Sequence, residues 1–265
     1  MQVPVNNFKK ALSSGDSQLG IWASFADPYA TEAIATVGAD WLLIDGEHGP
    51  NDVRSILAQL QAVAPYASHP VVRVVDANPA VIKQVLDIGA QTLMVPMIDT
   101  AEQARAVVAA TRYPPNGIRG VGAALGRASR WTSIPDYADS GVKEICVIVQ
   151  VESVKGISNI EEIVSVDGVD GVFFGPVDLS ASMDLMDQPT HPDVVKAIEH
   201  GTSIARAAGK AAGVLATDVE RAKGYLAAGV QFAAVGIDIL MLINSGRALL
   251  RELRGDADEK RTSYG

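Results

Sequence analysis

The sequence predicts a single-domain α/β fold, a (β/α)8 TIM barrel that spans residues 1–254. Three observations predict it: eight short apolar runs recur along the chain, a helical pattern follows each run, and polar residues gather where several runs end. The length of 265 residues suits one barrel, which ordinarily needs about 250 residues. A doubly wound parallel sheet is the alternative because it shares the βα repeat, but eight units favour the closed barrel.

The eight apolar runs are the predicted strands. Each is six to eight residues long, rich in Val, Ile and Leu, and almost continuously apolar. Such continuity is typical of strands that are covered on both faces, as in a parallel sheet. The predicted strands are 19–25, 41–47, 69–75, 92–98, 145–152, 171–176, 211–217 and 232–238.

The segments between the runs carry the signals of helix starts and ends. Apolar residues recur at helical spacing over 28–37, and Gly38 follows as a C-cap. Asn51 or Asp52 is placed to cap the next helix, which ends near Val63. Further helices are predicted over 79–89, 100–112, 156–165, 191–208, 218–228 and 239–254.

One long connection interrupts this alternation. Residues 113–144 contain several glycine turns, and three arginines fall within 119–130. An ordered connection of that length inside a compact domain is usually functional or interfacial. We expect 119–130 to serve the substrate pocket of its own subunit or to face a neighbouring one.

Composition and charge exclude several classes of function. The chain has 22 Lys and Arg against 31 Asp and Glu, a formal net charge of −9, which argues against nucleic acid or anionic lipid as a partner. The single cysteine, Cys146, allows no internal disulfide and no thiolate zinc cluster. Since no apolar leader or membrane span is recognisable, a cytoplasmic protein is expected. The polar tail, 255–265, is expected to be disordered.

Two carboxylates mark a candidate metal site. In a barrel of this kind the catalytic groups project from the carboxyl ends of the strands. Glu152 and Asp178 end the neighbouring fifth and sixth strands, with no paired lysine nearby in sequence. Oxygen ligands of this kind suit a divalent cation such as Mg²⁺ or Mn²⁺. An ordinary ion pair or, for Asp178, a helix cap is the alternative interpretation.

A histidine and an arginine stand at neighbouring strand ends. His48 follows the second strand beside Asp45, and a carboxylate can orient an imidazole that acts as a general base. A histidine at the start of a helix is the alternative. Arg73 interrupts the apolar third strand, so its guanidinium needs a partner. That partner is a substrate carboxylate or enolate oxygen, or a structural ion pair with Asp45 or Glu47.

Two further features bear on the chemistry. Gln150 is a polar residue inside the fifth strand, and the Gly175-Pro176 turn can present backbone N–H groups to an anion. No lysine stands inside a predicted strand or at its carboxyl end. A Schiff-base mechanism, which needs such a lysine, is therefore disfavoured.

Three blocks of sequence resemble the HpcH/HpaI aldolase family: LLIDGEHGP at 42–50, the segment 91–122, and VDGVFFGPVDLSASM at 169–183. The resemblance extends in order from about residue 5 to residue 254. It implies a divalent-metal-dependent, class II pyruvate aldolase with a (β/α)8 barrel. Such an enzyme reversibly cleaves a 4-hydroxy-2-oxo acid to an aldehyde and pyruvate, or a related 2-oxo acid such as hydroxypyruvate, through a metal-stabilised enolate.

The resemblance also implies roles for single residues. Glu152 and Asp178 would hold the metal ion, which would be Mg²⁺, Mn²⁺ or Co²⁺. His48, backed by Asp45, would act as the base, and Arg73 would steady the enolate. The residues implied to bind substrate are Gln150, Gly175, Pro176, Val177, Trp22 and Leu215.

The implied assembly is a homo-hexamer, a dimer of trimers whose neighbouring subunits exchange the C-terminal helix. The alternative function is an acyl-CoA thioester lyase of the citrate lyase β-subunit type, found in the same broad group. That activity would need a basic surface for the adenine nucleotide, and the arginines of 119–130 are the candidate. A barrel that only binds a small acid, without catalysis, is the further alternative.

Overall fold

The computed structural model describes residues 1–254, and within them eight parallel strands form one closed barrel. The strands are β1 (Gln18–Ala23), β2 (Trp41–Asp45), β3 (His69–Arg73), β4 (Thr92–Val95), β5 (Cys146–Gln150), β6 (Gly171–Phe174), β7 (Ala211–Leu215) and β8 (Phe232–Ile237). They pair in chain order, and β8 pairs with β1. The predicted (β/α)8 barrel is therefore confirmed. The disorder expected for 255–265 falls outside the described residues.

Twelve α-helices accompany the strands in this part of the chain. They are α1 (Asn7–Ser14), α2 (Pro28–Ala35), α3 (Val53–Val63), α4 (Pro79–Asp87), α5 (Ala101–Thr111), α6 (Tyr137–Lys143), α7 (Val154–Ser158), α8 (Ile160–Val164), α9 (Pro176–Ser182), α10 (Pro192–Ala207), α11 (Val219–Ala227) and α12 (Asp238–Arg254). None of the helices over 1–254 is both long and apolar enough to cross a membrane.

The continuous apolar character of the strands is explained by two cores, one on each face of the sheet. All five positions of β2 are buried, as are all five of β5. Side chains of the inner face fill the barrel, where the Phe232 ring contacts both Trp41 and Phe173. Side chains of the outer face, such as Val72 and Val149, pack in the core beneath the surrounding helices.

Helix α1 was not among the predicted elements, and it closes the end of the barrel at which the strands begin, here called the lower end. Asn6 caps this helix by accepting a hydrogen bond from the Lys9 N–H, and its amide donates to Thr92 Oγ1. Phe8 and Leu12 are buried among the residues of the barrel interior. The helix has only eight residues, so its apolar spacing is too short to stand out in the sequence.

Most predicted helix boundaries are confirmed, and the capping alternatives are resolved. Asp52 caps α3 through a capping box with Ser55. The predicted helix over 156–165 is instead two helices, α7 and α8, which are separated at Asn159. The Asn159 side chain donates to the Asp99 carbonyl oxygen at 2.8 Å. The Asn159 backbone, with φ −103° and ψ 11°, departs from the helical conformation at this point.

The connection 113–144 lies at the lower end of the barrel. Arg119 forms an ion pair with Asp87 at 2.7 Å, and Arg127 Nη1 donates to the Ile88 carbonyl oxygen at 2.9 Å. Because α4 ends where the chain turns into β4, these contacts lie opposite the carboxyl ends of the strands. Two roles were expected for 119–130. The first, a contribution to the substrate pocket of its own subunit, is therefore excluded.

His69 at the start of β3 is a half-buried histidine of the lower end. Its ring stacks on Phe8 with the centroids 5.8 Å apart, and its Nε2 lies 2.9 Å from Thr92 Oγ1. Burial lowers the pKa of His69 to about 4 because the charged ring loses its hydration. The histidine of the unfolded chain has a pKa of about 6.5. Between pH 4 and pH 6.5 the unfolded chain therefore binds a proton at this residue that the folded chain does not bind.

We expect His69 to lower the free energy of unfolding by up to about 3 kcal/mol as the pH falls from 6.5 to 4. Above pH 6.5 it has no such effect, because the ring is neutral in both states. The His69→Gln variant should show a shallower loss of stability over this window, measured by urea unfolding at several pH values. The exposed His200 offers a control, since His200→Gln should keep the wild-type slope. Parallel slopes for wild type and His69→Gln would contradict the assignment.

Candidate active site

The residues that the sequence predicts for the site lie at the upper end of the barrel, where the strands end. Asp45, Arg73 and Gln150 are the last residues of β2, β3 and β5. Glu152 lies two residues beyond β5, and Asp178 lies in the first turn of α9, just after β6. Both carboxylates therefore stand in the segments that follow neighbouring strands.

Glu152 and Asp178 converge over the backbone of Gly175. A Cβ atom placed on Gly175 would lie 2.5 Å from Glu152 Oε2 and 3.4 Å from Asp178 Oδ2. Any other residue at 175 would therefore displace the Glu152 carboxylate. Glu152 is buried and Asp178 is exposed, so the pair lies at the boundary between the barrel interior and the solvent.

The Glu152 carboxylate is oriented by two hydrogen bonds. The Met97 N–H donates to Oε1 at 2.9 Å, and Gln150 Nε2 donates to Oε2 at 3.0 Å. Burial raises the pKa of Glu152 to about 7, and the charges of Asp178 and Glu47 add to this effect, although the Met97 N–H opposes it. Ionising this buried carboxylate is therefore unfavourable unless a cation lies beside it.

Met97 reaches Glu152 through an unusual backbone conformation. Its φ of 58° lies in the left-handed region, which residues other than glycine rarely adopt. This conformation aims the Met97 N–H at the carboxylate of Glu152. A methionine in a sequence does not signal a left-handed backbone, so this contact could not be predicted.

Arg73 is paired with two carboxylates. Its Nε and Nη2 donate to Asp45 Oδ1 and Oδ2 at 2.9 and 2.8 Å, and its Nη1 lies 2.7 Å from Glu47 Oε2. The structural ion pair that the sequence left open is therefore present. These contacts use three of the five N–H groups of the guanidinium. Two N–H groups remain for a substrate oxygen.

Asp45 is held in its charged form by Arg73. Burial acts to raise the pKa of Asp45, but the hydrogen bonds and the charge of Arg73 outweigh it, and the pKa falls below its ordinary value. Trp22 supports this ion pair from β1. Its Nε1 donates to Asp45 Oδ2 at 3.2 Å, and the guanidinium carbon of Arg73 lies 4.9 Å from the indole centroid.

Trp22 and Leu215 contribute to the site as parts of the barrel interior. Trp22 is only 4% exposed, so it offers little surface to a substrate, although the resemblance implies that it binds one. Its ring packs against Phe173 and the Arg73 guanidinium instead. Leu215 is partly buried and packs against the same interior cluster.

His48 lies beside a different carboxylate from the expected one. Asp45 Oδ1 accepts from the backbone N–H groups of Glu47 and His48, at 3.1 and 3.3 Å, and makes no contact with the imidazole. The imidazole Nε2 lies 3.9 Å from Glu47 Oε2, and the side chain is 70% exposed. The expected support by Asp45 is thus corrected to Glu47, because Arg73 already engages both oxygens of Asp45.

Glu47 is the site residue that the sequence did not single out as functional. Burial and the charges of Asp45 and Asp178 raise its pKa, although Arg73 and His48 act in the opposite direction. Glu47 is therefore close enough to both the carboxylates and the cationic groups of the site to interact with them electrostatically. Its place in the DGEH segment was the available signal, but the predicted strand ran through 47 and hid its position in the loop.

Gly175, Pro176 and Val177 form the turn from β6 into α9. Gly175 and Pro176 are buried, and Val177 is 51% exposed. Pro176 is the first residue of the helix, so the N–H groups of the two residues after it have no acceptor within the helix. Such groups suit a carboxylate.

The residues of the site fit a divalent cation that is bound partly by protein carboxylates and partly by oxygens of a substrate. Within 1–254, no three His, Cys, Asp or Glu side chains are grouped closely enough to hold a metal by themselves. Glu152 and Asp178 nevertheless approach one point over Gly175, and no Lys or Arg of the described residues forms an ion pair with either of them. The buried Oε1 of Gln150 has no hydrogen-bond partner. Two carboxylates suit Mg²⁺ or a similar ion that takes its other oxygens from substrate and water.

A family model described as HpcH/HpaI aldolase/citrate lyase matches residues 18–245, a range that includes all the strands described above. The chain belongs to this family. The resemblance seen in the three sequence blocks is thereby confirmed, and this HpcH/HpaI protein is an aldolase, a carbon–carbon lyase.

Individual members of the HpcH/HpaI family are similar over nearly the whole chain. A hydroxypyruvate/pyruvate aldolase of Paraburkholderia phytofirmans is 65% identical over 242 residues, which cover 91% of each chain. A 4-hydroxy-2-oxo-heptane-1,7-dioate aldolase of Salmonella paratyphi B is 53% identical over 244 residues, 92% of this chain and 93% of its own. A solved family structure from Burkholderia cenocepacia has a TM-score of 0.91 at 39% identity, covering 94% of this chain and 100% of its own.

Proposed function

We propose that this aldolase is a divalent-metal-dependent pyruvate aldolase. It reversibly cleaves a 4-hydroxy-2-oxo acid to an aldehyde and pyruvate, or a related 2-oxo acid such as hydroxypyruvate. The observation that carries the proposal is the convergence of Glu152 and Asp178 over Gly175, near the paired Arg73. The names of the similar proteins, hydroxypyruvate/pyruvate aldolases among them, support the same substrate class.

The chain's own groups divide the binding of the 2-oxo acid between them. Glu152 and Asp178 would hold Mg²⁺, Mn²⁺ or Co²⁺, and the bound ion would supply a Lewis acid for the keto group. Arg73 has two N–H groups left for the oxygen on which negative charge develops, and a fixed donor of this kind stabilises a transition state. Gln150 and the first-turn N–H groups of α9 would orient the carboxylate of the substrate.

His48 is the group that moves the proton. In the cleavage direction its imidazole takes the proton of the C4 hydroxyl, the C3–C4 bond breaks, and the electron pair passes into the enolate of pyruvate. The C4 oxygen then belongs to the aldehyde, which departs. The same imidazole returns the proton to C3 and completes the methyl group. Glu47, 3.9 Å away, would stabilise the imidazolium between these two steps.

The His48→Gln variant is expected to lower kcat by about 10²-fold or more, because general base catalysis contributes on that scale. It should retain metal binding, since His48 is not one of the proposed ligands. Steady-state cleavage and calorimetric titration with Mn²⁺ check both expectations. His200→Gln, on the outer helix α10, is the matched control and should keep full activity. Unchanged turnover in His48→Gln would assign the base to another residue.

An acyl-CoA thioester lyase would need a basic surface near the catalytic groups, and the candidate arginines do not lie there. The arginines of 119–130 lie at the lower end of the barrel, and the catalytic groups lie at the upper end. We therefore expect no measurable binding of acyl-CoA esters by calorimetry. Tight binding would reopen that alternative.

The proposed function is tested by pyruvate release from a panel of 4-hydroxy-2-oxo acids. Treatment with EDTA is expected to lower the rate by more than about 10²-fold, because Lewis acid catalysis supplies several kcal/mol. Readdition of Mg²⁺, Mn²⁺ or Co²⁺ should restore the activity. Full activity in EDTA would exclude the metal, and failure to cleave any acid of the panel would exclude the substrate class.

We also propose the hexameric assembly, a dimer of trimers. The support comes from α12, which buries only its first residue, Asp238, within the described chain. Its exposed apolar residues are Leu240, Met241, Leu242, Ile243, Leu249, Leu250 and Leu253. A helix with such a surface is covered in a stable protein, and a neighbouring copy is the proposed cover. Light scattering on the eluted protein should give the mass of six chains.

A further inference from the structure

A cavity at the lower end of the barrel takes no part in the proposed reaction. Its volume is about 270 Å³, enough for about nine water molecules. Its walls come from the N-terminal segment at Val3 and Pro4, the end of α3, the start of β3 at His69, and the connection 113–144. We call it the lower cavity.

Two arginines line the lower cavity without an acidic partner. Arg127 and Arg130 form no ion pair with any carboxylate of residues 1–254. Arg127 Nη1 donates to the Ile88 carbonyl oxygen at 2.9 Å, and Arg130 Nη1 donates to the Arg127 carbonyl oxygen at 2.8 Å. Within the described part of the chain, each guanidinium donates one hydrogen bond, to a main-chain carbonyl, and its other N–H groups have no protein acceptor.

The two charges are brought close together in a partly buried place. Burial lowers the pKa of Arg127, and the neighbouring charge of Arg130 lowers it further. Gly89 makes room for this arrangement, because a Cβ atom there would lie 2.7 Å from Arg127 Nη1. Arg127 caps the end of α4 with a single N–H group. This capping contact does not explain why Arg130 lies beside Arg127.

A third arginine lies nearby, and its charge is compensated by a carboxylate. Arg119 is 2% exposed, its Nη2 pairs with Asp87, and its buried Nε and Nη1 have no hydrogen-bond partner. It lies close enough to Tyr137, which lines the lower cavity, to oppose the rise in the Tyr137 pKa that burial causes. Asp87 compensates one of the three positive charges, and two remain.

We propose that the lower cavity binds a phosphate group, as inorganic phosphate or as a small phosphate monoester, between Arg127 and Arg130. The planar guanidinium matches the geometry of phosphate oxygens. A phosphate carries about −1.5 to −2 charges at pH 7, which matches the two uncompensated cations, whereas a monocarboxylate would leave one of them. Tyr137 also lines the cavity.

The test is thermal unfolding of the metal-loaded enzyme in millimolar phosphate, against chloride of the same ionic strength. A ligand that binds only the folded state raises the unfolding temperature, and we expect a saturable rise. The double variant Arg127→Gln, Arg130→Gln should lose most of that rise and keep its kcat and KM. The exposed Arg105 supplies the control, because Arg105→Gln should respond as the wild type does.

Phosphate bound at the upper end of the barrel would stabilise all of these proteins equally. An equal rise in the double variant, or no rise in the wild type, would therefore overturn the proposal. So would a loss of the response in Arg105→Gln, which would indicate a general charge effect. Acetate should stabilise far less than phosphate, and an equal response would overturn the assignment to phosphate.

The single variant Arg130→Gln provides a second test in case the double variant does not fold. The Arg130 side chain makes one hydrogen bond, to the carbonyl of the nearby Arg127. We therefore expect Arg130→Gln to fold, and calorimetry should show phosphate binding weakened about tenfold or more, since a charged hydrogen bond contributes about 1.5–3 kcal/mol. Unchanged affinity in Arg130→Gln would overturn the proposed role of this residue.

Discussion

The Glu152→Gln variant is expected to lose more than about 10³-fold of the aldolase activity, together with its affinity for the divalent cation. Glu152 is the buried member of the carboxylate pair, and its two oxygens are fixed by Met97 and Gln150. A neutral amide is a poor ligand for a hard cation, so the exposed Asp178 would be left as the one charged ligand. Titration with Mn²⁺ and the pyruvate assay measure the two losses.

The same variant should be at least as stable as the wild type when both are free of metal. The Glu152 pKa of about 7 lies above that of an unfolded glutamate, so above pH 7 the buried charge destabilises the folded state. Glutamine removes that charge. The exposed Glu162 on α8 supplies the control, since Glu162→Gln should change neither metal affinity nor rate. Wild-type Mn²⁺ affinity in Glu152→Gln would contradict the metal site.

The Arg73→Lys variant is expected to lower kcat/KM by about 10²-fold or more, although it preserves the positive charge. An ammonium group cannot donate to both oxygens of Asp45, reach Glu47 and still offer two N–H groups to the substrate. The loss should appear in the KM for pyruvate in the aldol direction as well as in kcat, because Arg73 is proposed to touch the 2-oxo acid. Steady-state kinetics in both directions separate these effects.

A matched substitution at the surface controls for the change of residue type. Arg54 is exposed on the first turn of α3, and Arg54→Lys should leave both kinetic constants unchanged. Arg73→Lys should also be less stable, by about 1–3 kcal/mol, because buried hydrogen bonds to Asp45 and Glu47 are lost. A variant that is destabilised but fully active would show that the pairing of Arg73 is structural alone.

The barrel could be predicted from sequence because strands buried on both faces leave a long apolar signature. The carboxyl ends of those strands then located Glu152 and Asp178 just after two neighbouring strands, since parallel strands end at one edge. Their convergence over Gly175 rests on the absence of a Cβ atom, which follows from the three-dimensional path and not from spacing. The metal and the 2-oxo acid that they are proposed to bind stay predictions.

Contacts that depend on loop geometry were beyond reach of the sequence. Asp45 and His48 are three residues apart, yet the turn after β2 presents the backbone of His48 to Asp45 and the imidazole to Glu47. The left-handed backbone of Met97 carries no residue-type signal. The direction in which 113–144 folds is decided by its contacts with α4, distant in sequence, so its place at the lower end was equally hidden.

Helix α1 has a consequence for the order of events during synthesis. Phe8, which precedes the first strand, contacts Phe232 in the last strand, and β1 can complete its pairing only with β8. Contacts between residues so far apart in the chain form slowly, because a very long loop must close first. A nascent chain that has not yet released β8 from the ribosome therefore keeps an open barrel edge and an undocked first helix. Closure of the barrel is therefore expected only once β8 is free to pair, and until then the open edge is the feature that a chaperone would protect.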